Sequence, residues 1–129
     1  MHSLLIGNYG AGNLGDEALR EYFLRKFPEI EWMVDSSNPE QGQYARLPLG
    51  VRSFLTFSWT NTLSAYRRAD GVVFGGGSLF TDTESSFACL LWWWHAFAAW
   101  VFRKPILLAF QGIGPFRTRL GLSCARWVL

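Results

Sequence analysis

Short runs of hydrophobic residues alternate along the chain with longer stretches in which hydrophobic residues recur at spacings of three to five. The short runs, closed by glycine or polar residues, predict buried strands; they are Ser3–Ile6, Ile30–Val34, Gly71–Phe74 and Ile106–Phe110. The longer stretches predict helices; they are a helix from Asn13 that Pro28 ends, Thr60–Arg68, Phe87–Phe102 and one that opens at Arg119. The polar segment from Asp35 to Gln43 is typical of a surface loop, and Leu47–Thr60 fits either a short strand or a loop.

Strands separated by helices indicate a parallel sheet covered on both faces, which is a Rossmann-like, doubly wound α/β domain. The 129 residues are enough for one such domain. The last predicted helix reaches Leu129 without a glycine, proline or polar stop signal. We therefore expect this sequence to be a truncated part of a longer protein.

Composition and charge exclude several classes of function. Half of the residues are hydrophobic and 17% are charged, so the chain can build a core and is not a disordered tail. The net charge of +2, with scattered arginines, does not predict a nucleic-acid partner. Cys89 and Cys124 lie in apolar surroundings, which favours reduced thiols, and no cluster of metal ligands is present. The N-terminus has no signal-peptide pattern, so we expect a cytoplasmic protein.

Three glycine-rich segments follow predicted strands, at 10–15, 75–77 and 111–114. In an open parallel sheet, ligands bind beyond the carboxyl ends of the strands, and glycine-rich turns there let backbone N–H groups approach an anion. The segments should therefore meet at one crevice. The residues that we expect to contact substrate there are Gly10, Gly12, Asn13, Gly15, Gly75, Gly76, Gly77, Ser78, Gln111, Gly112, Gly114 and Arg117.

The first of these segments also fits a dinucleotide fingerprint. Gly10–Gly15 matches GxGxxG, and Asp35 follows at the distance where an acid would bind a ribose hydroxyl. However, Gly7, Asn8 and Tyr9 separate the motif from its strand, whereas the fingerprint places its first glycine directly after the strand. A nucleotide- or nucleotide-sugar-binding Rossmann module, binding NAD or resembling a GT-B glycosyltransferase, stays open as the alternative.

Taken together, three blocks of sequence resemble the polysaccharide pyruvyl transferase family. The blocks are 7–18 (GNYGAGNLGDEA), 69–82 (ADGVVFGGGSLFTD) and Lys104-Pro105 followed by 111–115 (QGIGP). Their order and approximate spacing also match, and the resemblance runs from Leu4 to the last residue.

The resemblance implies a GT-B-like enzyme of two Rossmann-like domains, of which this chain supplies the N-terminal one and lacks the C-terminal one. It implies transfer of the pyruvyl group of phosphoenolpyruvate to a sugar of a cell-surface polysaccharide, such as an exopolysaccharide or cell-wall polysaccharide, or of its lipid-linked precursor, to form a pyruvate ketal. No cofactor is implied, and the isolated part is expected to be inactive.

Two carboxylates are candidates for catalysis of such a transfer. Asp16 starts the helix after the first glycine loop, and Asp82 follows the triple glycine. Asp16 could contact substrate, Asp82 could bind a sugar hydroxyl or act as a base, and each could instead cap a helix. Asn13, Ser78 and Gln111 have the same two interpretations, as ligand contacts or as local structural anchors.

Phe87–Phe102 (FACLLWWWHAFAAWVF) carries no formal charge and four of the seven tryptophans. At 16 residues it is short for a membrane span, which needs about 20 residues. It predicts a buried helix, with His95 in the core or an interface. The alternative is a helix at the level of lipid headgroups, which tryptophan favours, and hence a peripheral membrane contact.

Overall fold

A computed structural model describes residues 1–7, 9, 14–36, 43–45, 55, 59–75, 86–109 and 118–128. The strands are β1 (His2–Ile6), β2 (Glu31–Ser36), β3 (Gln43–Ala45), β4 (Gly71–Gly75) and β5 (Ile106–Ala109). The helices are α1 (Leu14–Lys26), α2 (Trp59–Arg68), α3 (Ser86–Val101) and α4 (Arg119–Val128). The four predicted strands and four predicted helices are all present, with ends that shift by a few residues.

The five strands form one sheet in the order β3-β2-β1-β4-β5, and every pairing is parallel. In register, Leu4 of β1 lies opposite Met33 of β2 and Val72 of β4. This order reverses direction between β1 and β4, which makes their carboxyl ends the switch point where ligands bind in such sheets. The Rossmann-like fold predicted from the sequence is confirmed.

The segment from Asp35 to Gln43 differs from the predicted surface loop at both ends. Asp35 and Ser36 are the last residues of β2 and are buried, and Gln43 begins β3, where it lies opposite Val34. β3 consists of only three residues, Gln43, Tyr44 and Ala45, which is too short to show a hydrophobic pattern in the sequence. Of the ambiguous stretch Leu47–Thr60, the described residues are Leu55 and the start of α2.

Hydrophobic side chains cover both faces of the sheet, as the unbroken apolar strands predict. Leu4, Ile6, Met33, Val72 and Phe74 face α2 and α3 and form the larger cluster. On the opposite face, a smaller cluster packs under α1; its buried members are Leu5, Tyr9, Phe23, Val34 and Val73.

The tryptophan-rich helix α3 contributes one of its sides to the larger cluster. Its buried residues are Leu91, Trp92, His95, Ala96, Ala98 and Ala99. They recur at positions that share one side of a helix, and the alanines let the helix approach the sheet closely. The prediction of a buried helix is confirmed for this side, and His95 is a core residue.

Among the described ranges, no helix combines the length and hydropathy needed to cross a membrane. The same ranges contain no group of three or more histidine, cysteine, aspartate or glutamate side chains that could hold a metal ion.

Two glycines at strand ends are required by packing. A Cβ added at Gly7 would lie 2.5 Å from Cζ of Tyr9 and 2.8 Å from the carbonyl oxygen of Gly75. A Cβ at Gly75 would lie 2.6 Å from the ring of Phe23. Both spaces are therefore already filled by aromatic rings, and a methyl group would force the ends of β1 and β4 apart.

We expect Gly7→Ala to lower the free energy of unfolding by about 1–3 kcal/mol, the usual cost of overpacking a core. Gly71→Ala is the matched control, because a Cβ there would meet Pro105 at an ordinary 3.5 Å. Urea denaturation followed by circular dichroism measures both. Equal stability of the two variants would contradict the packing role of Gly7.

Candidate active site at the carboxyl edge of the sheet

Tyr9 connects the ends of three strands at the switch point. Its ring is fully buried, and its hydroxyl donates a hydrogen bond to the carbonyl oxygen of Gly75 at the end of β4. Its own carbonyl oxygen accepts a hydrogen bond of 3.5 Å from the hydroxyl of Ser36 at the end of β2. Tyr9 is thus held from both neighbouring strands, five residues before α1 begins at Leu14.

Carboxylates lie close to this tyrosine. Burial is the main cause that raises the pKa of Tyr9 far above its usual value, followed by the negative charges of Asp16 and Asp35. The positive charge of Arg20 lowers the pKa of Tyr9 and so offsets part of this rise. Arg20 itself forms an ion pair of 3.1 Å with Glu17. Tyr9 therefore keeps its proton at every physiological pH, so it acts as a hydrogen-bond donor and not as a base.

Asp16 is the candidate carboxylate that this arrangement places at the site. It is the third residue of α1 and is only 8% exposed. A carboxylate in the first turn of a helix is stabilised by the helix dipole and by N–H groups without helical partners. This position serves helix capping and substrate contact equally, so both interpretations from the sequence remain open.

Asp35 faces the other side of the sheet and is completely buried. Its Oδ2 lies 3.8 Å from Nε2 of His95 on α3. The His95 ring in turn has its Nδ1 2.8 Å from the hydroxyl of Tyr66 on α2, and that hydroxyl also donates to the His95 carbonyl oxygen at 3.1 Å. We call Asp35, His95 and Tyr66 the buried triad; it joins the end of β2 to both helices of that face.

The buried triad bears on the dinucleotide alternative. In that interpretation Asp35 binds a ribose hydroxyl, but its side chain is 0% exposed and faces His95 within the core. A ribose could reach it only if α3 moved away from the sheet. The feature that made the fingerprint attractive in the sequence thus has a structural use of its own.

Tyr66 is held as a donor in the same way as Tyr9. Burial, and then the negative charge of Asp35, raise the pKa of Tyr66 well above its usual value. Its hydroxyl therefore stays protonated beside His95. All three side chains are fully buried, and an unpaired polar group in a core is costly, so the hydrogen bonds within the triad are important for stability.

Three of the predicted site residues lie in the described ranges. Gly15 is exposed at the start of α1, Asp16 is buried one residue later, and Gly75 ends β4 against Tyr9 and Phe23. The chain brings them to the same edge, as expected. The other predicted site residues lie outside the described residues; they are Gly10, Gly12, Asn13, Gly76, Gly77, Ser78, Asp82, Gln111, Gly112, Gly114 and Arg117.

Sequence reasoning missed Tyr9 and Ser36 as parts of this edge. Tyr9 has one signal, an aromatic residue between two glycines of a loop, which indicates a ring packed where those glycines leave space. Ser36 has no such signal in the sequence, because a serine after an aspartate is typical of the beginning of a loop.

A cavity of about 560 Å³ opens elsewhere, between α1 and strands β4 and β5. Its lining is hydrophobic and includes Phe27, Trp32, Val73 and Leu107. Since it offers no charged side chain to a substrate phosphate or carboxylate, we place the candidate site at the carboxyl edge instead.

A parallel sheet with its switch point between β1 and β4 defines a Rossmann-like α/β domain, and glycine-rich sequence follows both of these strands. The family model for polysaccharide pyruvyl transferase matches residues 13–129, and the chain belongs to this family. The match includes Asp16 and the second and third blocks in full. No curated protein and no solved structure matches the chain.

We expect Tyr66→Phe to lower the free energy of unfolding by about 1–3 kcal/mol, because it leaves His95 without its buried hydroxyl partner. Tyr44→Phe is the matched control: the Tyr44 hydroxyl accepts a 2.7 Å hydrogen bond from Arg68 at the surface, and its loss should cost about 0.5 kcal/mol or less. Thermal and urea denaturation measure the difference. Similar losses for both variants would show that the buried triad adds nothing to stability.

Proposed function

We propose that this chain is the N-terminal domain of an enzyme that transfers the pyruvyl group of phosphoenolpyruvate to a sugar of a cell-surface polysaccharide or of its lipid-linked precursor. The observation that carries the proposal is the family match over residues 13–129, which by itself indicates a transferase. The sheet order supports it, since β1, β4 and β5 are parallel neighbours and the three glycine-rich segments follow these strands in the sequence.

The chemistry sets what the crevice must provide. Two sugar hydroxyl oxygens bond to the central carbon of phosphoenolpyruvate, its methylene carbon gains a proton and becomes a methyl group, and phosphate leaves with the bonding electron pair. The two hydroxyl groups lose two protons: one is equivalent to the proton gained by the methylene carbon, and the other leaves with phosphate. The enzyme needs an acid near the methylene carbon, a base near the sugar hydroxyl and groups that neutralise phosphate.

The charges of the described residues at this edge favour contact with the acceptor sugar over contact with phosphoenolpyruvate. The negative charges of Asp16 and Glu17, at the start of α1, act on Tyr9 together with one cation, Arg20; Asp35 also acts on Tyr9 but is buried against His95. Carboxylates accept hydrogen bonds from sugar hydroxyls, but they repel a donor that carries a phosphate and a carboxylate. We therefore assign the acceptor sugar to this domain, with Asp16 as the base or as a sugar contact.

The donor then needs cations from other parts of the protein. Arg117 and the backbone N–H groups of the glycine loops are the candidates that this chain offers, with Asp82 and Ser78 as further contacts. We propose that most phosphate contacts come from a second, C-terminal Rossmann-like domain in a GT-B-like arrangement, and that the first domain is inactive alone. In such an enzyme the reaction takes place in the cytoplasm and needs no cofactor.

The test uses the natural gene product, including any residues encoded after Leu129, with phosphoenolpyruvate and a panel of glycan acceptors. We expect release of phosphate with formation of a ketal. Asp16→Asn should lower kcat by about 100-fold or more, the usual contribution of a positioned acid or base. Glu29→Gln, which neutralises an exposed carboxylate beyond α1, is the matched control and should leave kcat unchanged.

Absence of phosphate release with every acceptor would contradict the proposal. Calorimetry separates the nucleotide alternative: tight binding of NAD or of a nucleotide sugar, without binding of phosphoenolpyruvate, would overturn the choice made here. Full activity of Asp16→Asn would leave Asp16 with a capping role only.

A further inference from the structure

The side of α3 that faces away from the sheet carries a cluster of aromatic rings that α4 completes. The ring of Trp127 on α4 lies 5.7 Å from that of Trp93, 6.0 Å from Phe97 and 6.1 Å from Trp100, measured between centroids. Trp100 is 62% exposed and Trp127 is 44% exposed. The cluster thus packs large rings against one another while leaving two tryptophans in contact with solvent.

Exposed hydrophobic residues continue from this cluster along both helices. Val101 follows Trp100 at the end of α3, and Leu120 lies seven residues before Trp127, on the same side of α4. Val101 is 53% exposed and Leu120 is 51% exposed. We call Trp100, Val101, Leu120 and Trp127, with the basic residues beside them, the α3–α4 surface.

The charged residues in the C-terminal part of the chain, after Glu84, are all basic. All ten acidic residues lie at or before Glu84, whereas five basic residues follow it: Arg103, Lys104, Arg117, Arg119 and Arg126. Arg119 and Arg126 are exposed and lie seven residues apart, so they form a second stripe next to Leu120 and Trp127. The surface therefore pairs exposed tryptophan with arginine, without an acidic residue from either helix.

Topology brings the ends of both helices together at the amino edge of the sheet. In a parallel sheet the connecting helices run opposite to the strands, so α3 and α4 both end there. A cleft of about 390 Å³ between them confirms this, since it is lined by Trp100 and Trp127 together with Ile106, the first residue of β5. The substrate crevice lies at the opposite, carboxyl edge.

Arg103, just after α3, has a backbone conformation that is unusual for a residue other than glycine. It has a φ of 56°, in the left-handed region. Its N–H donates to the Trp100 carbonyl oxygen at 3.0 Å, and the N–H of Lys104 donates to that of Ala99 at 2.9 Å, which together end α3 in a Schellman motif. Glycine is favoured at this position because a side chain there is strained, yet the chain holds an exposed arginine.

We propose that the α3–α4 surface docks the protein on an anionic membrane, with tryptophan rings at the headgroup level and Arg103, Arg119 and Arg126 on lipid phosphates. Tryptophan favours this boundary, and each basic side chain near an anionic surface adds to the attraction. The helices lie along the membrane without crossing it, as their length requires. This inference goes beyond pyruvyl transfer and stands on the residues of this surface alone.

The orientation that follows leaves the crevice accessible. Because α3 and α4 form a layer on one face of the sheet, docking by the outer side of that layer sets the sheet roughly parallel to the membrane. The carboxyl edge then opens sideways, near the level of the headgroups. A sugar attached to a membrane lipid could reach it there.

The test is co-sedimentation of the natural gene product with phosphatidylglycerol-containing vesicles and with pure phosphatidylcholine vesicles. We expect binding to the anionic vesicles that weakens as salt is added, with a blue shift of tryptophan fluorescence. Trp100→Ser with Trp127→Ser should abolish the shift. Arg119→Glu with Arg126→Glu should weaken binding by more than tenfold, whereas Arg25→Glu with Lys26→Glu on α1, an equal change of net charge, should not.

Arg103→Gly separates docking from folding. Removing one basic residue from a membrane-facing surface should weaken vesicle binding roughly fivefold. The same change should raise thermal stability, because glycine relieves the left-handed strain. A variant that is more stable and binds vesicles as well as the wild type would overturn the role of Arg103.

Other outcomes overturn the whole proposal. Equal binding to neutral and anionic vesicles would show that the basic residues play no part. Absence of vesicle binding, together with self-association that the Trp100 and Trp127 substitutions prevent, would identify the surface as an interface between copies of the chain. Neither result bears on pyruvyl transfer, which is measured with water-soluble acceptors and without lipid.

Discussion

The contact of the Tyr9 ring with Gly7 and Gly75 is the constraint on which the carboxyl edge depends. Two central strands of a parallel sheet are fixed in spacing by their hydrogen bonds, so a ring can enter between their ends only where side chains are absent. Gly7 and Gly75 supply that space, and the Tyr9 hydroxyl fixes the ring by its hydrogen bond to Gly75. This contact fixes Tyr9 between the ends of β1 and β4, five residues before α1 begins at Leu14.

The opposite face of the same edge is held by polar groups instead. Asp35, His95 and Tyr66 are fully buried, and such groups stabilise a core only while all of them are paired. Buried polar groups keep their hydrogen bonds only in a narrow range of positions, whereas hydrophobic side chains tolerate small shifts. We expect this linkage to hold the end of β2 rigidly relative to α2 and α3. An active site at this edge gains from such rigidity, because misplacing a reacting group by about 1 Å can cost about 100-fold in rate.

Local patterns in the sequence were enough to predict four of the five described strands, the four described helices and the parallel sheet. They failed where a residue's environment is set by a distant part of the chain. Asp35 reads as a loop residue because its partner His95 is 60 positions away, and β3 is missed because an edge strand needs little hydrophobic surface. For the candidate site, Asp16 and Gly75 could be found from glycine loops and helix starts. The role of Tyr9 could not, since it depends on the spacing of two strands that are far apart in sequence.

The packing of α3 against the sheet accounts for only part of its hydrophobic composition. A helix that is hydrophobic all round is expected to be buried on every side, yet the sheet covers only the side with Trp92, His95 and Ala96. α4 covers part of the remainder through Trp127, and Trp100 still faces solvent. Natural surfaces keep exposed hydrophobic patches small unless something binds them. Since α3 and α4 contain no acidic residue and Arg119 and Arg126 lie beside the exposed hydrophobic residues, an anionic partner fits both the hydrophobicity and the charge of this surface.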